Sequence, residues 1–292
     1  MIGQFIVNGL EAGAAYGLVA LGFGLIYRVC GFFNFAHGAV YAVAAYLAYT
    51  FIHVLGCSPW IGIPASIIGA MGLGATTEAV INRPMRRWGA SSLTLLICSL
   101  GLLVAMQNGI SLIFGDDTRR LRSVDVYQSV IIFGAHITSI QLAIIGTSIL
   151  LCVSVAGWMN LTTVGKMARA IANDADLATV VGVNSPRLIV VIFAVGSALA
   201  AIASILLGYD VDITPSMGFN ALLMAVVAVI VGGVGSIRGS FLGGLLVGLA
   251  QHLGVWKLPT QWQNAVVFGV LIIFLIIRPE GLFGRPLKRA QI

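Results

Sequence analysis

Charge is what this chain has least of. Only 9% of its 292 residues are Asp, Glu, Lys or Arg, while 59% are apolar and the mean hydropathy is +1.02. A water-soluble fold of this length has no interior large enough to hide that surface, so a soluble domain is excluded and the bilayer is the solvent. Hydrocarbon offers no partner to a free backbone N–H or C=O, which leaves helices or a closed barrel. The apolar runs are continuous and about twenty residues long instead of alternating, and that selects helices. The expected fold is an all-α, polytopic transmembrane helix bundle forming one domain over residues 1–292.

Other scarcities narrow the function. Cys30, Cys57, Cys98 and Cys152 are scattered without paired spacing, which argues against a disulfide framework or a zinc site and for small apolar packers. His37, His53, His136 and His252 share no ligand spacing, so no metal site is expected. The opening MIGQFIVNGL has no Lys or Arg to make the n-region of a cleavable secretory signal. Gly165-Lys166 lacks the earlier glycine of a phosphate loop, because Asn160 stands there; the chain is expected to bind no ATP and to carry no cofactor. Glu11 is read as the one acid inside a span, and a single acid is not the pair that enzymatic proton transfer asks for. The net charge of +6 forms no stripe with interleaved aromatics, so no nucleic-acid partner is expected. The basic residues sit at the ends of apolar runs, where they act as topology signals.

What is abundant is glycine. In a soluble helix each of the 36 glycines would cost roughly 1 kcal/mol relative to alanine, whereas in a membrane bundle they permit close helix contact. Apolar runs lie near 5–27, 39–55, 61–81, 93–114, 137–158, 188–207, 219–234, 241–253 and 265–277, which makes eight or nine crossings. The lower count applies if the seventh and eighth, short and joined by the glycine-rich GGVGSIRGS, form one discontinuous span. Basic clusters fall at Arg83, Arg86 and Arg87, at Lys166, Arg169 and Arg187, and in the tail with Arg278, Arg285, Lys288 and Arg289. If all three clusters face the cytoplasm, the parity of the runs between them agrees with the positive-inside rule, with the N-terminus outside and the C-terminus inside. GDDTRRLRSVDVYQ then becomes an outer loop, with a short strand or hairpin expected around 130–133.

Three stretches have residues suited to transport. Glu11 lies about two turns into the first run, where a charge is costly unless it faces water or a partner. It is read as a polar wall of a solute pathway near the outer mouth, with Asn8 close by, or as a residue at the headgroup boundary. GFFNFAHG joins the first two runs; its Asn34 and His37 either repair a broken helix by pairing freed backbone groups or touch solute. In TTVGKMARAIANDADLATVVGVN, the residues Met167, Ile171, Ala175, Ala178 and Val181 recur at helical spacing. Lys166, Arg169, Asp174 and Asp176 supply polar positions, and Gly182 supplies a stop. This predicts one short amphipathic helix that inserts into a groove of a partner protein or lies on the membrane surface.

The stretches NGLEAGAAYGLVALGFGLIYRVCGFFNFAHG, INRPMRRW, GKMARAIANDADLATVVGVN, GGVGSIRGSFLGGLLVGLAQ and RPEGLFGRP, in this order, resemble the permease subunits of branched-chain amino acid ABC importers, the LivH-like family. NFAHG and the alanine-rich loop ending in GVN are specific when found together. The resemblance implies a transmembrane subunit of a bacterial inner-membrane importer for branched-chain or other hydrophobic amino acids. It implies pairing with a second permease, related or identical, around one central path. Two ATP-binding subunits, which hold the ATP and Mg, would dock from the cytoplasm, and an external solute-binding protein would deliver the solute. Asn34, Phe35, His37 and Gly38 would line the path beside a broken helix. The loop at about 160–187, with Lys166, Met167, Arg169, Ile171, Asp174, Ala175, Ala178 and Gly182, would couple to the ATPases. The chain departs from the family in having Ala39 after NFAHG where an acid is frequent, Arg238 in place of proline, and Ala79 in place of Arg after Glu78. Related permeases for urea or short amides share the architecture and form the nearest rival. A secondary transporter would need an intramembrane ion or proton site, which Glu11 alone supports poorly.

Overall fold

The computed structural model describes residues 2–122, 129–132, 135–256 and 259–284. All nine apolar runs are helical. The first is α1 (Ile2–Cys30), followed after a break by α2 (Ala36–Tyr49), which ends in a π-helical turn at Thr50–Val54. Next come α3 (Pro59–Thr76), a second π turn (Thr77–Asn82) and the short α4 (Arg83–Arg87), continuous enough to act as one span. α5 (Ser92–Phe114) leads to a two-stranded antiparallel hairpin, β1 (Ser129–Ile132) with β2 (Ala135–Thr138), in the register Ser129 to Thr138. Phe133 of the expected hairpin lies outside the described residues. Then follow α6 (Ser139–Leu161), α7 (Thr163–Asn173), α8 (Ala175–Val180), α9 (Ser185–Asp210), α10 (Met217–Gly232), α11 (Ile237–Gly254), a 3-10 turn at Thr260–Trp262 and α12 (Gln263–Ile277).

Helix starts follow local chemistry. Ser91, Thr138, Thr162, Asp174, Asn184 and Ser236 each cap a helix by accepting from a backbone N–H in its first turn, and Thr138 with Gln141 completes a capping box. The first residues of α2 and α10 have no side-chain cap.

Among the described residues, six helices are long and apolar enough to cross a membrane, or seven if the bent α10–α11 pair counts as one span. The expectation of eight or nine crossings is therefore too simple, although every run forms a helix. α2 continues through its π turn to Val54, yet this helix is not among the six. α10 and α11 meet at a 118° bend over Gly233–Ser236, where Gly233 and Gly235 take left-handed φ values of 106° and 83° that only glycine adopts without strain. The orphan carbonyls at the end of α10 are taken up by the tail, since Leu282 and Phe283 donate their N–H groups to Val231 and Gly232 at 2.9 and 3.0 Å.

The centre of the bundle is α1, which packs on α11, α9, α10 and α6. Gly9, Gly13 and Gly17 recur every four residues and so share one face against α11. A Cβ on Gly13 would come within 2.8 Å of the Leu245 Cα, and one on Gly17 within 2.8 Å of the Phe241 ring, so the seam exists only because side chains are absent from it. Further along α1, Leu18, Leu21 and Leu25 are completely buried. At the Glu11 end, β2 is tied to α1 by Gln4, whose side chain accepts from the His136 N–H at 2.9 Å and donates to its carbonyl at 3.0 Å. Beside it, Arg119 and Ile213 exchange backbone hydrogen bonds of 2.9 and 2.8 Å, and Arg120 pairs with Asp212 at 3.4 Å.

Candidate functional site

Two of the expected pathway residues share a cavity. Asn8 and Glu11 open onto a space of about 330 Å³ at the end of the bundle next to the hairpin, between α1, α6, α9 and α11. Glu11 is buried and accepts a hydrogen bond from Gln141 Nε2 at 2.7 Å, while Asn8 Oδ1 accepts from Gln4 Nε2 at 3.0 Å. Tyr16, Asp210, Gln251 and His252 complete the polar wall. Of these four the sequence reading named only His252, among the histidines without ligand spacing, and none was expected in the pathway. Gln251 is a polar residue inside an apolar run and Asp210 lies just past one, which are weak signals until α9 and α11 are placed against α1.

Asn34, Phe35, His37 and Gly38 lie elsewhere, at the break between α1 and α2. His37 packs against Gly22, about 16 Å along α1 from Glu11 at 1.5 Å per residue. The break is real, but its repair is not the one expected. Neither the side-chain carbonyl of Asn34 nor the ring nitrogens of His37 make a well-formed hydrogen bond, though both residues are buried. The backbone is steadied instead by Ser99 of α5, whose Oγ accepts from the Phe35 N–H at 3.0 Å and donates to the Leu96 carbonyl at 2.7 Å. Phe33 stacks on Phe23 and meets Tyr27 at a tilt, with ring centroids 5.8 and 4.7 Å away. Gly38 then meets Gly218, where a Cβ on Gly38 would come within 2.7 Å of the Gly218 carbonyl. The starts of α2 and α10, both without a side-chain cap, therefore abut inside the bundle.

A second intramembrane acid also corrects the sequence reading. Glu78 is fully buried in the π turn after α3, and Arg86 of α4 grips both of its carboxylate oxygens. A bidentate guanidinium satisfies a carboxylate on both oxygens, which makes this a closed structural pair. Arg86 reaches Glu78 across the turn, so the Ala79 that departs from the family pattern leaves it paired.

The stretch 163–182 forms two helices where one was expected. Asp174 is extended (φ −159°, ψ 108°), ends α7 and caps α8 by accepting from the Leu177 N–H at 2.9 Å. Asp at an N-cap competes with helix continuation, and that preference outweighs the apolar spacing. Ile171 and Ala178 are buried in the chain's own core and Met167 packs partly against it, so this stripe docks on its own subunit. Arg169 hydrogen-bonds the Met159 carbonyl at the end of α6, while Lys166, Asp174 and Ala175 are exposed. Gly182 ends α8 as expected: its φ is 89°, and the Gly182 and Val183 N–H groups close onto the Thr179 and Ala178 carbonyls at 3.0 Å each. The apolar residues left outside are Leu177, Val180 and Val181, exposed by 61%, 82% and 72%.

Beside α7 at this end lies a second cavity of about 590 Å³, lined among others by Arg28, Asn160, Asn173 and Arg238. Against these features stands a family match. The model of the branched-chain amino acid transport system permease component covers residues 5–275. The chain belongs to that family. This permease is 35% identical to the high-affinity branched-chain amino acid transport system permease protein BraD of Pseudomonas aeruginosa, over 97% of this chain and 96% of the relative. It is 34% identical to the high-affinity branched-chain amino acid transport system permease protein LivH of Escherichia coli K12, with the same coverage. In fold alone it is similar to PsaBC from Streptococcus pneumoniae, at a TM-score of 0.54 and 16% identity over 96% of this chain and 97% of that one. The permease is thus a multi-pass membrane protein of a transport family, and its polar sites are to be weighed as transport features.

Proposed function

We propose that this permease is the translocation subunit of a bacterial ATP-driven importer for branched-chain or other hydrophobic amino acids. It pairs with a second permease, related or identical, receives solute from an external binding protein, and is driven by two separate ATPase subunits. The observation that carries the reading is membership of the branched-chain amino acid permease family along almost the whole chain, with an exposed apolar knob at Leu177, Val180 and Val181. A knob of that kind on a short capped helix suits insertion into a groove of a partner protein. It lies with Arg86, Lys166, Arg187 and Arg278 at the basic end of the bundle, which the positive-inside rule assigns to the cytoplasm. The N-terminus and the Glu11 cavity then face outward, and the C-terminus faces inward.

Solute enters between Asn8 and Glu11 and passes the abutting starts of α2 and α10 near Asn34, Phe35, His37 and Gly38. ATP-driven closure of the ATPases moves α7 and α8 and tilts the paired permeases to exchange one open mouth for the other. The test is co-purification from the native membrane followed by reconstitution. ATPase subunits and a second permease copy or relative are expected in the same sample, with uptake of leucine, isoleucine or valine that requires ATP. Ala175→Trp, at an exposed position of α8, is expected to leave ATP hydrolysis and abolish uptake. Uptake driven by an ion gradient without ATP, or uptake of urea and short amides but not of leucine, rejects the proposal.

A further inference from the structure

The cavity at Glu11 brings together two carboxyl groups and an amide oxygen without a hydrogen-bond partner. Glu11 is 6% exposed, and Asp210 faces it within hydrogen-bonding reach. Two carboxylates brought together away from bulk water repel, and a positive group between them relieves that repulsion. Gln251, also 6% exposed, directs an amide whose Oε1 has no hydrogen-bond partner, while its Nε2 is spent on Asn264 Oδ1 at 3.5 Å. A buried acceptor left unpaired costs free energy until a donor arrives. Gln141 Nε2 donates to Glu11, and among the described residues no Lys or Arg lines the cavity. At about 330 Å³ the space falls within the roughly 300–1,000 Å³ usual for small-molecule sites. Leu207 and Val211 give it an apolar side.

We propose that Glu11, Asp210 and Gln251 form a binding site for a primary ammonium group, which receives the amine end of an amino-acid solute at the outer mouth. An ammonium carries one positive charge and three N–H donors, one for each of these three acceptors. The solute's aliphatic part would lie toward Leu207 and Val211. This assignment rests on the amino-acid permease reading, and it adds residues and a ligand group that the reading does not specify.

The test uses the full chain with its co-purifying subunits in nanodiscs, and two halves of leucine as probes. Isoamylamine keeps the ammonium and the branched chain, and 4-methylpentanoate keeps the branched chain with a carboxylate. The amine is expected to raise the melting temperature saturably and the acid to leave it unmoved. Glu11→Gln and Asp210→Asn are each expected to weaken amine binding by about ten-fold or more, the effect of removing one partner of a desolvated charge pair. Equal effects of amine and acid, or unchanged amine binding in both variants, overturn the site. If sodium chloride alone saturates the shift and displaces the amine, the site belongs to an inorganic cation and the assignment to an organic ammonium is overturned. Should one variant fail to assemble, the other together with the amine-against-acid comparison on the unaltered complex decides. Amine binding without leucine uptake by the reconstituted complex would reject the amino-acid importer reading while leaving the ammonium site standing; leucine uptake without amine binding would do the reverse.

Discussion

α1 and α12 are both apolar enough to span a bilayer, yet they have opposite places in the fold. The span containing α12 has the higher mean hydropathy, 1.8 against 1.5, and only 6% of it is buried in the protein, while 83% of the apolar window of α1 is buried. The difference follows from the solvent. Lipid accepts Ile272, Ile273, Ile276 and Ile277 as readily as a protein core does, so hydropathy decides that a helix enters the membrane and says little about its position in the bundle. Position is set by close approach. α1 carries a glycine face that meets α11 at backbone distance, and α12 has only Gly269, with nothing near its missing side chain.

That contrast breaks first at Gly13. Gly13→Leu sets a branched side chain against the Leu245 backbone, which has no rotamer to yield, and exceeds the ~1–3 kcal/mol of ordinary overpacking. The expected outcome is loss of the folded permease from the membrane, read as yield of monodisperse protein. A peripheral helix becomes equally sensitive where it holds a buried charge: Arg86→Met strands the Glu78 carboxylate and is expected to cost about 3–5 kcal/mol in thermal or denaturant unfolding. At the helix break, Ser99→Ala leaves the Phe35 N–H unpaired and is expected to cost about 1–3 kcal/mol, again read in unfolding. Gly269→Leu in α12 is the opposite limit, with a change within about 0.5 kcal/mol, because the new side chain meets lipid. A large loss at Gly269 with none at Gly13 would reverse the assignment of centre and periphery.

Much of the architecture is written locally. Every apolar run from 5–27 to 265–277 became a helix, the hairpin after the charged loop formed, and Gly182 ended its helix, because hydropathy, turns and caps act over a few residues. The break at Asp174 was legible too, as an Asp before a short alanine-rich run, but the apolar spacing from Met167 to Val181 masked it. The site was only half visible. Glu11 and Asn8 stand out as polar residues in an apolar run, whereas Asp210 of α9 and Gln251 of α11 become their neighbours only when three helices converge. Glu78 was noted only as the residue before Ala79 and not as an acid inside its run, and its pairing with Arg86 depends on the π turn between them.

Composition and order alone determined that this chain lives in lipid, that its elements are helices and where they start and stop. Those outcomes depend on the free energy of transfer and on hydrogen bonds between residues a few positions apart. Only the tertiary structure decided which helix is central, that the starts of α2 and α10 abut, and that two carboxyls and an unpaired amide oxygen share one cavity. Such meetings depend on close approach between segments remote in the chain, and hydropathy carries no record of them.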